Sequence, residues 1–175
     1  LGRLGVRRVF GVVGSGNFHV TNALVTAGAS FVAARHEGGA VTMADAYARV
    51  SGELAAVSVH QGCGFTNTLT GLAEAAKSRT PMIVLAGQQT RSLLPGEPFL
   101  GALDATVFPR PYVKWAVEPA RAADVPGALA RAYHVATQPP YGPVFVSVPS
   151  DDWDAECEPQ PERPPRLPLG QCRQR

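Results

Sequence analysis

The chain has 175 residues, of which 45% are hydrophobic and 17% are charged, and its formal net charge is only +2. These values fit one globular domain with a buried core and exclude an intrinsically disordered chain. The small charge gives no electrostatic basis for binding nucleic acid or an acidic membrane, and no apolar run reaches the roughly 20 residues of a membrane span.

The spacing of apolar residues predicts strands and helices that alternate along the chain. Strands are predicted at 7–13, 30–36, 54–60, 81–87, 112–117 and 142–150, and helices at 17–28, 38–52, 65–78 and 122–138. This alternation predicts an α/β fold: a doubly wound, mostly parallel sheet of about six strands with helices on both faces.

We predict one domain over residues 1–157, followed by a linker or disordered tail at 158–175. The tail is rich in Pro and Arg and shows no periodicity. The acidic stretch DDWDAE at 151–156 is interpreted as a solvated segment at the domain end. The chain begins with Leu1 rather than Met, and we expect both ends to be cut from something larger.

The three cysteines lie far apart and have no C-x-x-C spacing. They are Cys63, Cys157 and Cys172. This pattern argues against a disulfide framework or a structural zinc site and suits a reducing compartment, so we expect a cytoplasmic protein.

A polar residue follows each of the first three predicted strands. Ser15 follows the first strand, Glu37 the second and His60 the third. Each alone has a structural explanation, as a turn residue, a helix-start acid or a hydrogen-bonded strand end. Because parallel strands end at one edge of the sheet, where ligands bind in such folds, the three together predict a site.

Two glycines, Gly38 and Gly39, follow Glu37 at the start of a predicted helix. Glycine weakens the first turn of a helix, so its presence there calls for a reason. We interpret the pair as room for a flat ring to lie against the backbone.

A dinucleotide-binding site is an alternative within the same architecture. The sequence GSGNFH at 14–19 follows a strand and opens a helix, and Glu37 lies about 20 residues on, where a ribose-binding acid belongs. His19, however, occupies the position of the third glycine of the G-x-G-x-x-G motif. That glycine allows the helix and the strand to pack closely together. This disfavours the alternative, and the sequence has no G-x-x-x-x-G-K-[ST] phosphate loop.

Three stretches resemble the pyrimidine-binding domain of thiamine-diphosphate-dependent enzymes, a family that includes acetolactate synthases and 2-oxo-acid decarboxylases. They are GVRRVFGVVGSGN, RHEGGAVTMADAYARVSG and SVHQGCGFTNTLTGLAEAAKSRTPMIVLAG. The later part, from AGQQTR to DDWD, resembles the benzoylformate decarboxylases. The resemblance extends over nearly all of the predicted domain.

The resemblance implies a cofactor, thiamine diphosphate, and roles for five residues. Glu37 would hydrogen-bond the N1′ nitrogen of the aminopyrimidine ring and so help the thiazolium carbon lose its proton. Gly14, Gly38 and His60 would also contact the cofactor. Glu37, His60 and Ser15 would be the catalytic residues, with Ser15 and His60 contacting the substrate.

The same resemblance implies an apolar substrate pocket. Phe99 and Leu100 fall where the benzoylformate decarboxylases have two leucines that line an aryl pocket. Together with Ser15 and His60 they are the predicted substrate-contacting residues. With Phe99 in place of a leucine, the pocket would be narrower by one ring.

Departures from the decarboxylase pattern leave the substrate and reaction open. Residues 12–13 are Val-Val instead of Asn-Pro, and residues 16–17 are Gly-Asn instead of Asn-Glu. Acetolactate synthases usually lack a histidine at position 60, so His60 favours a decarboxylase. Two alternatives remain: an acetolactate-synthase-like carboligase domain, and a non-catalytic pyrimidine-type interaction module.

The G-D-G…N motif, which holds Mg²⁺ and the diphosphate in the family, does not occur in this sequence. The resemblance therefore implies a diphosphate-binding domain on the same or another chain as a partner, in a homo-oligomer that acts on a small 2-oxo acid. We expect no metal site in this chain and no activity from it alone.

Overall fold

A computed structural model describes residues 1–157 and contains one six-stranded sheet with the order β2-β1-β3-β4-β6-β5. All neighbouring strands are parallel. The strands are β1 (Arg8–Gly11), β2 (Ser30–Ala33), β3 (Ala55–Val59), β4 (Met82–Gln88), β5 (Ala116–Val117) and β6 (Pro143–Pro149). The predicted fold class is confirmed. The predicted tail at 158–175 lies outside the described residues, and the domain bounds stay a prediction.

Helices cover both faces of this sheet. They are α1 (Phe18–Thr26), α2 (Glu37–Ser51), α3 (Gln61–Thr66), α4 (Leu69–Lys77) and α5 (Val125–Thr137). Short 3₁₀ turns lie at Gly2–Leu4, Leu94–Gly96, Arg110–Tyr112, Ala122–Asp124 and Ser150–Asp152. Within the described residues, no helix combines the length and apolar character needed to cross a bilayer.

Two apolar layers hold the helices to the sheet. One layer lies under α2, α3 and α4 and includes the stacked rings of Phe65 and Phe145, whose centroids are 4.3 Å apart. The other lies under α1 and α5 and includes Leu24 and Ile83. Because both faces are covered, every residue of β3, β4 and β6 is buried, which explains their continuous apolar sequences.

The helix predicted at 65–78 is in fact two helices, α3 and α4, separated by Asn67 and Thr68. The Thr68 side chain is buried, and its hydroxyl donates to the carbonyl oxygen of Phe65 at 2.6 Å. The backbone N–H of Thr68 also donates to Phe65, at 2.9 Å. Both bonds draw the chain into a tighter turn than that of an α-helix, so α3 ends and α4 begins as a separate helix.

The strand predicted at 112–117 is reduced to the two residues of β5. The preceding turn, Arg110–Tyr112, is a 3₁₀ helix. Pro109 and Pro111 lie at its start and centre, and neither has a backbone N–H to offer a neighbouring strand. The chain therefore joins the sheet only after this turn.

The strand order places a crevice above β1 and β3. From β1 the chain moves to β2 on one side, and β3 then lies on the other side of β1. At such a reversal, the loops that leave the two strands diverge to opposite faces and leave a ligand-sized gap at the carboxyl ends. The segments that follow β1, β2 and β3 all meet this edge of the sheet.

The acidic stretch at 151–156 is not simply solvated, as the sequence suggested. Arg91, just after β4, donates Nε to Asp152 at 3.1 Å, contacts the second carboxylate oxygen through Nη2, and reaches the carbonyl of Pro119 at 2.7 Å. The Asp152 side chain is only 7% exposed. This ion pair connects the segment after β4 to the one after β6.

Two glycine-to-alanine substitutions should change stability in opposite directions. A Cβ on Gly87, in β4, would lie 2.2 Å from the carbonyl oxygen of Gly16, whereas a Cβ on Gly127, in α5, would meet nothing within 4 Å. We expect Gly87→Ala to lower the free energy of unfolding by about 2–3 kcal/mol, because backbone must move.

Gly127→Ala is the matched control and should raise the free energy of unfolding by about 0.5–1 kcal/mol, because alanine favours the helix. Urea denaturation of the two variants and the parent chain measures both effects. Equal effects of the two substitutions would contradict the close approach of β4 to the Gly16 loop.

Candidate active site

A buried asparagine holds the loop that leaves β1. Asn17 Oδ1 accepts the backbone N–H of Gly14 at 2.7 Å. Its Nδ2 donates to the carbonyl of Val12 at 3.1 Å and to the hydroxyl of Ser58, in β3, at 2.9 Å. These bonds close the loop on itself and tie it to the neighbouring strand, so its shape does not depend on a ligand.

The His60 imidazole packs against this loop at the point where two residues lack side chains. A Cβ on Gly14 would lie 2.5 Å from His60 Cγ, and a Cβ on Gly16 would lie 2.9 Å from His60 Nδ1. The backbone N–H of Gly16 donates to His60 Nδ1 at 3.0 Å. The two glycines therefore make room for the ring, and the second one also orients it.

This hydrogen bond selects the tautomer of neutral His60. Because Nδ1 accepts a hydrogen bond from the backbone N–H of Gly16, the proton of the neutral ring lies on Nε2, which is then a donor. Burial lowers the pKa of His60, and the negative charge of Glu37 opposes this only in part. The site therefore holds a neutral imidazole with an Nε2–H group.

Gln61, the first residue of α3, follows His60 and has a backbone conformation that residues other than glycine rarely adopt. Its φ is +39°, and the residue is only 3% exposed. Its Oε1 accepts a hydrogen bond from Gln89 Nε2 at 3.0 Å. Such conformations persist where the surroundings determine them and are frequent at functional sites. Here the constraint fixes the direction in which the chain leaves His60.

Glu37 begins α2 and lies half-buried against α3. Its Oε2 accepts a hydrogen bond from Asn67 Nδ2 at 3.0 Å. Its Oε1 lies beside Gly64, where a Cβ would come within 3.0 Å. The preceding residue, His36, caps the helix, since its Nδ1 accepts the backbone N–H of Gly38 at 3.1 Å. One carboxylate oxygen is thus held, and the other faces a residue without a side chain.

The two glycines after Glu37 have different surroundings. A Cβ on Gly38 would lie 3.2 Å from His36 Nδ1 and 3.3 Å from the carbonyl oxygen of Asn67. A Cβ on Gly39 would meet nothing within 4 Å. Packing inside the chain therefore explains Gly38, and only Gly39 leaves open space beside the helix start. A contact between Gly38 and a cofactor stays a prediction.

The predicted substrate residues are only partly brought together. Ser15 is exposed on the loop whose neighbouring glycines contact His60. Leu100 lies nearby, since its carbonyl accepts the backbone N–H of Gly62 at 3.0 Å. Phe99, by contrast, is 99% exposed. In this chain by itself, Phe99 therefore lines no closed pocket.

Two cavities in the described part of the chain are lined by neither Glu37 nor His60. A cavity of about 230 Å³ lies between α1, Leu129 and Trp153, and one of about 290 Å³ lies beside Gln88 and Glu118. Among residues 1–157, no cluster of three or more His, Cys, Asp or Glu side chains could hold a metal ion. Ser15 and Phe99 are exposed and Glu37 is partly exposed, so the site is open along this edge.

Three residues of this edge were not recognised from the sequence. Asn17 was noticed only as a departure from a family pattern, although an asparagine just before a helix is a common capping signal. Asn67 stands where the apolar periodicity falters, which is a helix-stop signal. The role of Gln61 depends on its contact with Gln89, and no local pattern predicts that contact.

The chain matches the family described as thiamine pyrophosphate enzyme, N-terminal TPP binding domain, over residues 1–107. It is 44% identical over 123 residues to a benzoylformate decarboxylase of Pseudomonas aeruginosa, covering 70% of this chain and 23% of that protein. It is 36% identical over 148 residues to the acetolactate synthase large subunit of Haemophilus influenzae, covering 84% of this chain and 26% of that protein.

The fold is similar to that of a crystal structure of benzoylformate decarboxylase from Polynucleobacter necessarius. The TM-score is 0.86 at 39% sequence identity, and the match covers 91% of this chain and 30% of that one. The chain thus spans about a quarter of the length of the curated relatives described above.

The His60 environment predicts a loss of stability in acid. Since the pKa of His60 is lowered in the folded state, its contribution is complete above the unfolded-state pKa of about 6.5. The contribution is lost as the pH falls through the lower folded-state pKa. Protonation would also displace the Gly16 hydrogen bond.

Urea denaturation at about pH 7.5 and pH 5 should therefore show a smaller acid-induced loss for His60→Asn than for the parent chain. His134→Asn, which removes an exposed histidine of α5, is the control and should behave like the parent. A His60→Asn variant with the parent's full pH dependence would rule out the neutral, partly buried imidazole.

Proposed function

The chain belongs to the thiamine pyrophosphate enzyme family, and on this basis we propose that it is the pyrimidine-binding domain of a thiamine-diphosphate-dependent 2-oxo-acid decarboxylase of the benzoylformate type. One observation carries the proposal: Glu37 and His60 meet at one edge of the sheet, since Glu37 Oε1 lies beside Gly64, whose backbone N–H donates to the carbonyl of His60 at 3.0 Å. The identity to a benzoylformate decarboxylase supports this choice of substrate class.

The surroundings of Glu37 fit the pyrimidine ring of thiamine diphosphate. Its Oε1 lies beside Gly64, and open space adjoins Gly39 at the same helix start. A carboxyl group held in this way can share a proton with the N1′ nitrogen of the ring. The bound cofactor would supply the thiazolium carbon that adds to a 2-oxo acid and accepts its electrons when carbon dioxide leaves.

His60 and Ser15 suit the polar end of a 2-oxo acid. His60 presents an Nε2–H donor, since the backbone of Gly16 occupies its Nδ1. The exposed hydroxyl of Ser15 can donate or accept a hydrogen bond at the same edge. We propose that both orient the substrate carboxylate and carbonyl, with Leu100 and Phe99 on the apolar side.

The remaining parts of the active site would come from another domain. The open edge at Glu37 and the coverage of about a quarter of the relatives support this part of the proposal. We propose that a diphosphate-binding domain, on the same or another chain of a homo-oligomer, holds Mg²⁺ and covers the site. The chain alone would then be inactive, and its cytoplasmic location stays a prediction.

An acetolactate-synthase-like carboligase is the second candidate, favoured by the 36% identity to the Haemophilus influenzae large subunit over 84% of the chain. The two candidates differ in their products. From benzoylformate, a decarboxylase releases an aldehyde and carbon dioxide. A carboligase joins two pyruvate molecules into a hydroxy-keto acid with loss of one carbon dioxide.

We expect the enzyme that contains this domain to release benzaldehyde and carbon dioxide from benzoylformate and to form little acetolactate from pyruvate. The reason is that His60 stands where acetolactate synthases usually lack a histidine, so the residue favours the decarboxylase. Chromatography of products from the two substrates measures the ratio. Acetolactate as the main product would replace the decarboxylase with the carboligase.

Glu37→Gln should abolish most activity without unfolding the domain. Glutamine keeps the size and an acceptor oxygen, but it cannot take up and return a proton, a role worth about 10²–10⁴-fold in rate. Carbon dioxide release by the complete enzyme with thiamine diphosphate and Mg²⁺ measures the effect. Glu74→Gln, at an exposed position of α4, is the control and should keep the parental activity. Parental activity in the Glu37→Gln enzyme would exclude the proposed function.

A further inference from the structure

The side chain of Asn67 contacts Glu37 across 30 residues of sequence. Its Nδ2 donates to Glu37 Oε2 at 3.0 Å. Within residues 1–157, no other side chain forms a hydrogen bond with this carboxylate. Asn67 lies at the break between α3 and α4. Neither the sequence motifs nor the family resemblance singled it out.

The break holds Asn67 in a fixed position over the start of α2. Its backbone N–H donates to the carbonyl of Cys63 at 3.2 Å. Its own carbonyl lies so close to Gly38 that a Cβ there would be 3.3 Å away. The next residue, Thr68, is fully buried. Backbone contacts on both sides therefore fix the main chain of Asn67, and the hydrogen bond to Glu37 orients its exposed side chain.

The amide makes the two oxygens of Glu37 different. Oε2 is occupied by an N–H donor, and a hydrogen bond of this kind stabilises negative charge on the oxygen that accepts it. Oε1 has the Gly64 backbone beside it and no side chain in the way. A proton on the carboxyl group therefore belongs on Oε1, the oxygen that accepts no side-chain hydrogen bond within the described residues.

We infer that Asn67 is a positioning residue, which directs Oε1 of Glu37 toward the bound pyrimidine ring and keeps the exchangeable proton on that oxygen. The inference depends on the proposed function of Glu37. Asn67 itself does not touch the cofactor or the substrate; it acts only through the carboxylate.

The inference predicts a split between catalysis and binding in the complete enzyme. A hydrogen bond to a charged group contributes about 1.5–3 kcal/mol, which corresponds to about 10–150-fold in rate. We expect Asn67→Ala to slow exchange of the cofactor's C2 hydrogen with deuterium by about this factor, measured by proton NMR. Calorimetry with thiamine diphosphate and Mg²⁺ should show the dissociation constant rising by no more than about 10-fold, because diphosphate contacts persist.

Asn67→Asp provides a test that a merely structural role would not pass. The new carboxyl group repels Glu37 when both are ionised, but in acid the pair shares a proton and can donate it to Oε2 as the amide does. The exchange rate of Asn67→Asp relative to Asn67→Ala should therefore rise as the pH is lowered. A ratio that does not change with pH would overturn the inference, even if Asn67→Ala is poorly folded.

Two further variants separate this inference from the proposed function. Thr66→Ala removes the neighbouring hydroxyl, which among residues 1–157 donates to the carbonyl of Cys63 alone, and should behave like the parent. In a Glu37→Gln background, Asn67→Ala should have no additional effect on exchange. If Glu37→Gln is inactive while Asn67→Ala matches Thr66→Ala, the inference fails alone. If Glu37→Gln keeps parental exchange, the proposed function fails.

Discussion

The hydrogen bond from the backbone of Gly16 to His60 Nδ1 is the contact on which the site depends. It joins the loop after β1 to the end of β3 across the crevice where the strand order reverses. It requires that Gly14 and Gly16 have no side chains, and that Asn17 holds the loop closed. Removal of any of these would weaken the contact between the loop after β1 and the His60 ring.

Much of this arrangement was predictable from the sequence because it follows from local patterns. The apolar runs that became β3, β4 and β6 could be recognised as strands buried on both faces. Once the sheet is parallel, Ser15, Glu37 and His60 must share one edge whatever their distance in sequence. The fold and the placement of these three residues therefore needed no knowledge of side-chain contacts.

What the sequence could not reveal depends on contacts between distant residues. The division between α3 and α4 results from the buried hydroxyl of Thr68. The spacing of apolar residues does not predict that a polar side chain will be buried. Arg91 forms an ion pair with Asp152, 61 residues away in sequence. Asp152, in an acidic stretch that the sequence suggested was solvated, therefore makes a structural contact. A contact between Gly14 and a cofactor stays a prediction, and what the structure shows is that the absence of a side chain at Gly14 makes room for the His60 ring.

The two outermost strands of the sheet are short, four residues in β2 and two in β5. A long, unpaired strand edge would invite another chain to add a strand through its backbone groups. Here so few N–H and C=O groups are free at either margin that a continuous intermolecular sheet would gain little. Association with a neighbouring polypeptide is therefore left to side chains on the helical faces and loops, where shape and charge can select the correct one.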